Sequence, residues 1–336
     1  MKSFKIILAI ILVIVLGSFQ SMGAYAMSLS SVDVQYFDVI SLNTNTGVQT
    51  IERYDTYLTA AAKSRGITEM STPAYYGTDP VAFDAANVND GMVSPRSIIG
   101  GDNRIRVTSP KAAYPYRAIC RIVSYWDKND DGVIDSGINV GTGFLEGPSA
   151  VVTAGHCIYD VSINKWCEYA IVTLAQNGPA DKPYGTLRST VIHTSVAWTE
   201  SGDWNQDWAV IELAEDIGYT TGWLGKMWSA GSLNGTAITV TGYPNDIATS
   251  LSDKNNTNVY GKGMYMWYCN GSITNSLSAR LEYNADAVGG QSGAPVYKEG
   301  GVVVAIHTYS IGTSVSGGTR ITEWLYNYLV QYQQPE

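Results

Sequence analysis

The chain has 336 residues, 45% of them apolar and 15% charged, with 34 glycines; this is enough for a large core and excludes an intrinsically disordered chain. Its 21 basic and 30 acidic side chains leave a formal net charge of −9, so no phosphate-tracking surface and no nucleic-acid partner are expected. Sparse charge with plentiful Gly, Ser, Thr, Asn and Tyr is the usage of an all-β exported enzyme rather than of a helical cytosolic one.

Lys2 and Lys5 precede an unbroken apolar run from Ile6 to Leu16, and Ala24-Tyr25-Ala26 follows at the spacing a signal peptidase reads. Residues 1–26 are therefore expected to be a signal peptide, cleaved after Ala26. The run falls well short of the roughly twenty apolar residues that span a bilayer, so a secreted, extracellular protein without stable membrane association is expected. Four cysteines remain, and an even count in an exported chain favours two disulfides over metal ligation.

Residues 27–96 read unlike the rest, with eight acidic against four basic side chains and no Cys or Trp. They end in Met92-Val93-Ser94-Pro95-Arg96, where Pro95 holds the chain extended and Arg96 offers a cutting site to a trypsin-like or related activating protease. The expectation is a propeptide; the alternative is a small acidic domain that stays attached. Residues 97–336 would then be the mature protein, still acidic and acting as a monomer.

Along that remainder, short β-branched and aromatic runs recur between turn signals: 117–125, 140–145, 150–154, 169–174, 208–213, 237–241 and 301–307. Seven or more short strands without βαβ spacing mean a sandwich or barrel. Ile321, Leu325, Tyr328, Leu329 and Tyr332 fall at spacings of three and four, so one closing helix is expected on an all-β body. No repeat at a solenoid or propeller period is present.

Three segments carry chemistry. Val151-Val152-Thr153-Ala154-Gly155-His156-Cys157 is an apolar strand running into small residues and then an imidazole, a candidate general base. Asp207 heads Trp208-Ala209-Val210-Ile211-Glu212-Leu213, which would hold a carboxylate at the mouth of a buried strand. Gly289-Gly290-Gln291-Ser292-Gly293-Ala294-Pro295 packs a serine among glycines, and the backbone N–H groups of such a turn can converge on one concavity, as an oxyanion hole requires. His193, in a stretch without other functional groups, reads as an ordinary exposed residue.

The chain order His, Asp, Ser differs from the subtilisin order and from the α/β-hydrolase order. That order, with Thr153-Ala154-Gly155-His156-Cys157 and Gly290-Gln291-Ser292-Gly293-Ala294-Pro295, resembles the chymotrypsin-like serine proteases. The closer resemblance is to the secreted bacterial glutamyl endopeptidases. It runs from Ser97-Ile98-Ile99-Gly100 and Arg117 through His156-Cys157-Ile158-Tyr159-Asp160 and Gly242-Tyr243-Pro244 to Gly318-Thr319-Arg320-Ile321-Thr322. The resemblance implies a double β-barrel with a C-terminal helix, a signal peptide and propeptide ahead of it, and hydrolysis of protein or peptide substrates. It also implies a triad of His156, Asp207 and Ser292, with an oxyanion hole from the N–H groups of Gly290 and Ser292 and no cofactor in the chemistry. An inactive homologue kept as a binding module is the other class of reading.

For specificity the resemblance gives two readings. His307 matches the histidine that glutamyl endopeptidases aim at an acidic side chain, with Ser310 as a further donor, implying cleavage after Glu and more weakly after Asp. Asp286 lies where trypsin-like enzymes place the acid that selects Arg or Lys, and Ala287 replaces a Thr common in the family. A buried strand histidine bonded to a tyrosine is the structural alternative for His307. Gln291 stands where trypsin-like zymogens carry the acid that pairs with the new N-terminus, so activation must differ, and the resemblance suggests that the ammonium of Ser97 helps hold the substrate carboxylate. Gly141 replaces the usual partner of Cys157; three connectivities are open to the four cysteines, and the one expected is Cys157 with Cys167, ten residues on, and Cys120 with Cys269.

Asp127-Lys128-Asn129-Asp130-Asp131-Gly132-Val133-Ile134-Asp135 has oxygen side chains at alternating places and the glycine of an EF-hand-like loop. Asp127, Asn129, Asp131 and Asp135 are the candidate calcium ligands, with Ile138 in place of the bidentate Glu. The alternative is a polar hairpin turn.

Overall fold

A computed structural model describes residues 12–13, 37–52, 66–78, 101–135, 139–255, 260–311 and 315–333. The cleavage sites at Ala26 and at Arg96–Ser97 lie outside the described residues, as does Ile138. Six antiparallel strands close the first barrel, in the order Ile119–Tyr125, Asn139–Leu145, Ala150–Thr153, Ala209–Leu213, Leu187–Ser195, Tyr169–Leu174 and back to the first. Six more close the second, in the order Ala237–Gly242, Trp267–Ser276, Arg280–Tyr283, Val315–Arg320, Val302–Ile311, Pro295–Lys298.

Closure pairs every barrel strand on both sides over at least part of its length, and each barrel fills with side chains. Ile119, Ile122, Phe144, Val152, Val172, Ile192 and Ile211 are buried in the first; Ile238, Val240, Ile273, Leu281, Val296 and Ala305 are buried in the second. The apolar runs read from sequence coincide with strands, their ends moved by a few residues. The closing helix is Glu323–Val330, capped by Thr322, whose side-chain oxygen accepts the Leu325 N–H at 3.3 Å. It buries Trp324, Leu325, Tyr328 and Leu329, and Trp324 lies parallel to Tyr328 at 5.7 Å.

Two buried charges tie the halves together. Lys226, on the strand Gly225–Ser229 between the barrels, pairs with Glu146 at the end of a first-barrel strand, and both side chains are fully buried. Burial pushes the Glu146 carboxyl up to about 7 against the pull of Lys226, and lowers the Lys226 ammonium.

The segment 37–78 does not stand apart as its composition suggests. Val39–Asn43 pairs with the first-barrel strand Leu187–Ser195 and with Gln49–Glu52, and Glu69–Thr72 pairs with Gly225–Ser229. His193 is correspondingly not exposed: its side chain is 13% accessible, its Nε2 lies 2.8 Å from Glu212 and its Nδ1 2.7 Å from the Ser41 hydroxyl.

The four cysteines are free and buried, so the expected disulfides are absent. Cys120 lies in the core of the first barrel and Cys269 in that of the second. A Cβ on Gly141 would sit 2.7 Å from Cys157 Sγ, so this thiol lies against Gly141. Burial raises the thiols of Cys120 and Cys167, and pushes that of Cys269 up to about 12.

Candidate active site

His156 and Asp207 are brought together by strand pairing. Ala150–Thr153 runs antiparallel to Ala209–Leu213 with Thr153 opposite Ala209, so the residues just beyond the one and just before the other meet at the barrel rim. The buried Asp207 carboxylate spends both oxygens on the histidine: Oδ1 accepts the His156 backbone N–H at 2.9 Å and Oδ2 lies 2.8 Å from Nδ1. From the second barrel, the Thr319 hydroxyl donates to the Asp207 carbonyl at 3.0 Å. The imidazole remains 32% accessible at its edge. Burial lowers its pKa, but the Asp207 charge, then Cys157 and the Asp207 hydrogen bond, together outweigh burial and hold it well above the ordinary imidazole value.

Ser292 comes from the second barrel, in the turn before Pro295–Lys298. Gly290 and Gly293 adopt φ of +93° and +85°, and a Cβ on either would collide with backbone, at the Tyr243 carbonyl and the Thr142 carbonyl respectively. Both barrels hold the turn. The Thr142 N–H donates to the Ser292 carbonyl at 2.8 Å, and Thr142 Oγ1 donates to the Gly290 carbonyl at 2.8 Å. Cys157 Sγ, next in chain to His156, is 3.7 Å from the same Ser292 carbonyl. The Asn245 N–H donates to the Gly289 carbonyl at 2.8 Å, and in a trans peptide this turns the Gly290 N–H to the opposite side. Gln291 is buried and its Oε1 accepts the Val288 N–H at 3.0 Å, so the turn is braced from within where a trypsin-like zymogen needs an ion pair.

Beside the turn, His307 lies in Val302–Ile311 and is 3% accessible. Residues three apart in a strand normally face opposite sides. Here His307 pairs with Gly318 and Ser310 with Ser316, the register slipping between His307 and Tyr309. The bulge therefore puts His307 and the exposed Ser310 on one face. The Tyr283 hydroxyl lies 2.7 Å from His307 Nδ1, the tyrosine contact that sequence left as the structural alternative. Burial and the charge of His156 push the His307 imidazole down to about 4, against a smaller opposing pull from the Gly317 backbone. Burial keeps the Tyr283 phenol protonated well beyond its usual range. With Tyr283 as donor to Nδ1, the neutral ring carries its proton on Nε2.

Asp286 is buried, and its Oδ2 accepts the backbone N–H of Asn103 at 2.7 Å. The stretch after Ser97 is anchored again one residue on, where buried Arg104 pairs with Asp102 at 2.5 Å and Asp246 at 2.7 Å. Tyr283, Asn103 and the Arg104 cluster carry no motif in sequence, and their partners are up to 183 residues away.

In the acidic loop, Asp127 accepts the N–H groups of Asp131 and Gly132 at 3.1 and 2.8 Å, Asp131 that of Val133 at 2.8 Å, and Asp135 that of Lys128 at 2.6 Å; Asn129 donates to Asp131 at 3.0 Å. These side chains close their own turn. Among the described residues no group of three or more His, Cys, Asp or Glu is arranged to hold a metal ion.

The geometry agrees with what comparison finds. The trypsin family profile matches residues 132–326. A glutamyl endopeptidase of Bacillus licheniformis is 36% identical over 250 residues, covering 71% of this chain and 70% of its own. A Bacillus subtilis protein named extracellular metalloprotease is 34% identical over 249 residues, covering 73% and 72%. A solved Glu endopeptidase structure superposes with a TM-score of 0.56 at 23% identity, covering 70% of this chain and 98% of that one. The chain belongs to the trypsin family of serine proteases, as a homologue of the glutamyl endopeptidases.

Proposed function

We propose that the protein is an exported serine endopeptidase, made as a zymogen, activated by a cut after Arg96, and cleaving after Glu with Asp weaker. His156 takes the proton of the Ser292 hydroxyl as the serine attacks the scissile carbonyl, then returns it to the leaving amine. Asp207 fixes the ring and favours the imidazolium formed on the way, the preference its carboxylate already expresses in the resting site. The oxyanion is received by the Gly290 and Ser292 N–H groups, which cost no reorganisation because the turn is already braced.

The Glu reading rests on His307. A buried neutral imidazole whose Nδ1 accepts a hydrogen bond from the Tyr283 hydroxyl is a preorganised Nε2–H donor, with Ser310 on the same face. A carboxylate suits such a donor. The Arg or Lys reading draws less support, since Asp286 is engaged with the Asn103 N–H. A role for the Ser97 ammonium in holding the substrate acid rests on the resemblance to the glutamyl endopeptidases, Ser97 itself lying outside the described residues. The substrates are proteins and peptides.

His307→Leu is expected to lower kcat/KM for Glu peptides by ~1.5–3 kcal/mol, about 10- to 150-fold, and for Gln peptides much less. A variant that folds, reacts with fluorophosphonate and keeps the wild-type ratio of Glu to Gln cleavage would overturn the assignment. For activation, an Arg96→Ala chain shown to be uncut is expected to be nearly inactive; full activity would contradict the zymogen reading.

A further inference from the structure

The segment expected to leave on activation is woven into both sheets. Of the first-barrel strand Leu187–Ser195, only Leu187 and Arg188 pair with Tyr169–Leu174, and beyond that point its free side is taken by Val39–Asn43, from Val191 opposite Asn43 to Ser195 opposite Val39. Val39, Ile40 and Leu42 are buried there. Phe37 stacks on Trp324 of the C-terminal helix at 5.5 Å, and Ser41 bonds His193 at 2.7 Å. A second anchor lies at the junction of the barrels. Glu69–Thr72 pairs along Lys226 to Ser229, Tyr75 stacks on Trp223 at 4.2 Å, and buried Arg117 donates to the Tyr76 carbonyl.

These anchors use strands and a helix other than those that carry His156, Ser292 and His307. A cut at Arg96–Ser97 would fall beyond Thr78 and would break none of the pairings described. Removing the segment afterwards would bare two strand edges and the apolar surface beneath Val39, Ile40 and Leu42, an aggregation hazard. Two anchors on one short chain also hold each other in place, since release of either leaves the other to restore it.

We propose that residues 37–78 remain bound after activation as a second, non-covalent chain, a β-strand clamp on the two barrels that leaves the catalytic cleft open. The proposal rests on the processing reading above. It differs from a released propeptide, which would depart with its strands, and from an inhibitory one, which would occupy the cleft.

The test is gel filtration of the naturally processed enzyme at neutral pH, followed by denaturing mass analysis of the active peak. The expected peak contains chain 97–336 labelled at Ser292 by fluorophosphonate together with an equimolar fragment spanning 37–78. Labelled 97–336 eluting alone overturns the proposal. So does inhibition of peptide hydrolysis by excess added fragment, which would mean that it sits in the cleft. An uncut chain in the active peak overturns the processing reading instead, and the two-chain form falls with it. In a urea titration, Val39→Asp is expected to release the fragment earlier than wild type with kcat on peptides unchanged before release. Should that chain fail to accumulate, Ser41→Ala and Tyr75→Leu give the same readout, and retention equal to wild type in both contradicts the assigned anchors.

Discussion

Asp207 commits both carboxylate oxygens to His156, and that double engagement dictates how a variant fails. Asp207→Asn keeps the shape but removes the charge that holds the imidazole pKa up, so the acid limb of kcat/KM should move to lower pH while kcat falls by about 10⁴. A pH–rate profile reads both, and an unmoved limb would contradict the electrostatic account. His307 behaves in the opposite sense. Its folded pKa is depressed to about 4, so the stability it contributes is fully present above the unfolded value and is lost as pH falls through the folded one. From pH 6.5 toward 4 this group alone should cost roughly 3 kcal/mol, and His307→Leu should flatten that part of the curve. Urea unfolding of Ser292→Ala protein, which cannot digest itself, checks it across that range. The candidate catalytic residues are each only weakly marked, by small residues before His156, a strand after Asp207 and glycines of positive φ around Ser292; it is their joint occurrence in one chain order that singled them out. Tyr283 was not legible, because one tyrosine among 23 gives no sign that it will meet a histidine 24 residues on.

Strand by strand, the readable elements were those whose apolar residues point into a barrel core. Ile119–Tyr125 and Ala209–Leu213 are nearly all buried and read as apolar runs. Val315–Arg320 is equally buried but was not legible, because its Ser316-Gly317-Gly318 looks like a turn. Those glycines are there for space: a Cβ at 317 would strike the Tyr309 ring, and one at 318 the Ile306 carbonyl. Burial of charge leaves no mark in sequence either. Nothing in sequence singles out Lys226 and Glu146, which form a fully buried pair between the end of a barrel strand and the strand joining the barrels. Lys226→Met should leave Glu146 buried without its partner and destabilise the protein by about 3–5 kcal/mol. The double change with Glu146→Leu should recover most of that loss in the same urea experiment, and failure to recover would show that packing rather than charge is at stake.

Over the whole molecule, the order of histidine, aspartate and serine, with the motifs around them, carried the resemblance that implied two barrels, and two six-stranded barrels are present. What it could not convey is that the acidic segment ahead of the barrels adds one strand to the first barrel and another to the strand joining the barrels, since pairing of Val39–Asn43 with a strand some 150 residues later leaves no local mark. The missing disulfides have a similar origin: an even cysteine count says nothing about two thiols in separate cores. The protein proposed here is a serine endopeptidase that reads an acidic side chain through His307. Digestion of a mixed peptide library by the processed enzyme, with cut sites read by mass spectrometry, tests it most directly. Cuts should fall predominantly after Glu, fewer after Asp and few after Gln, and should disappear for Ser292→Ala. Predominant cutting after Arg or Lys would contradict it and return Asp286 to the pocket.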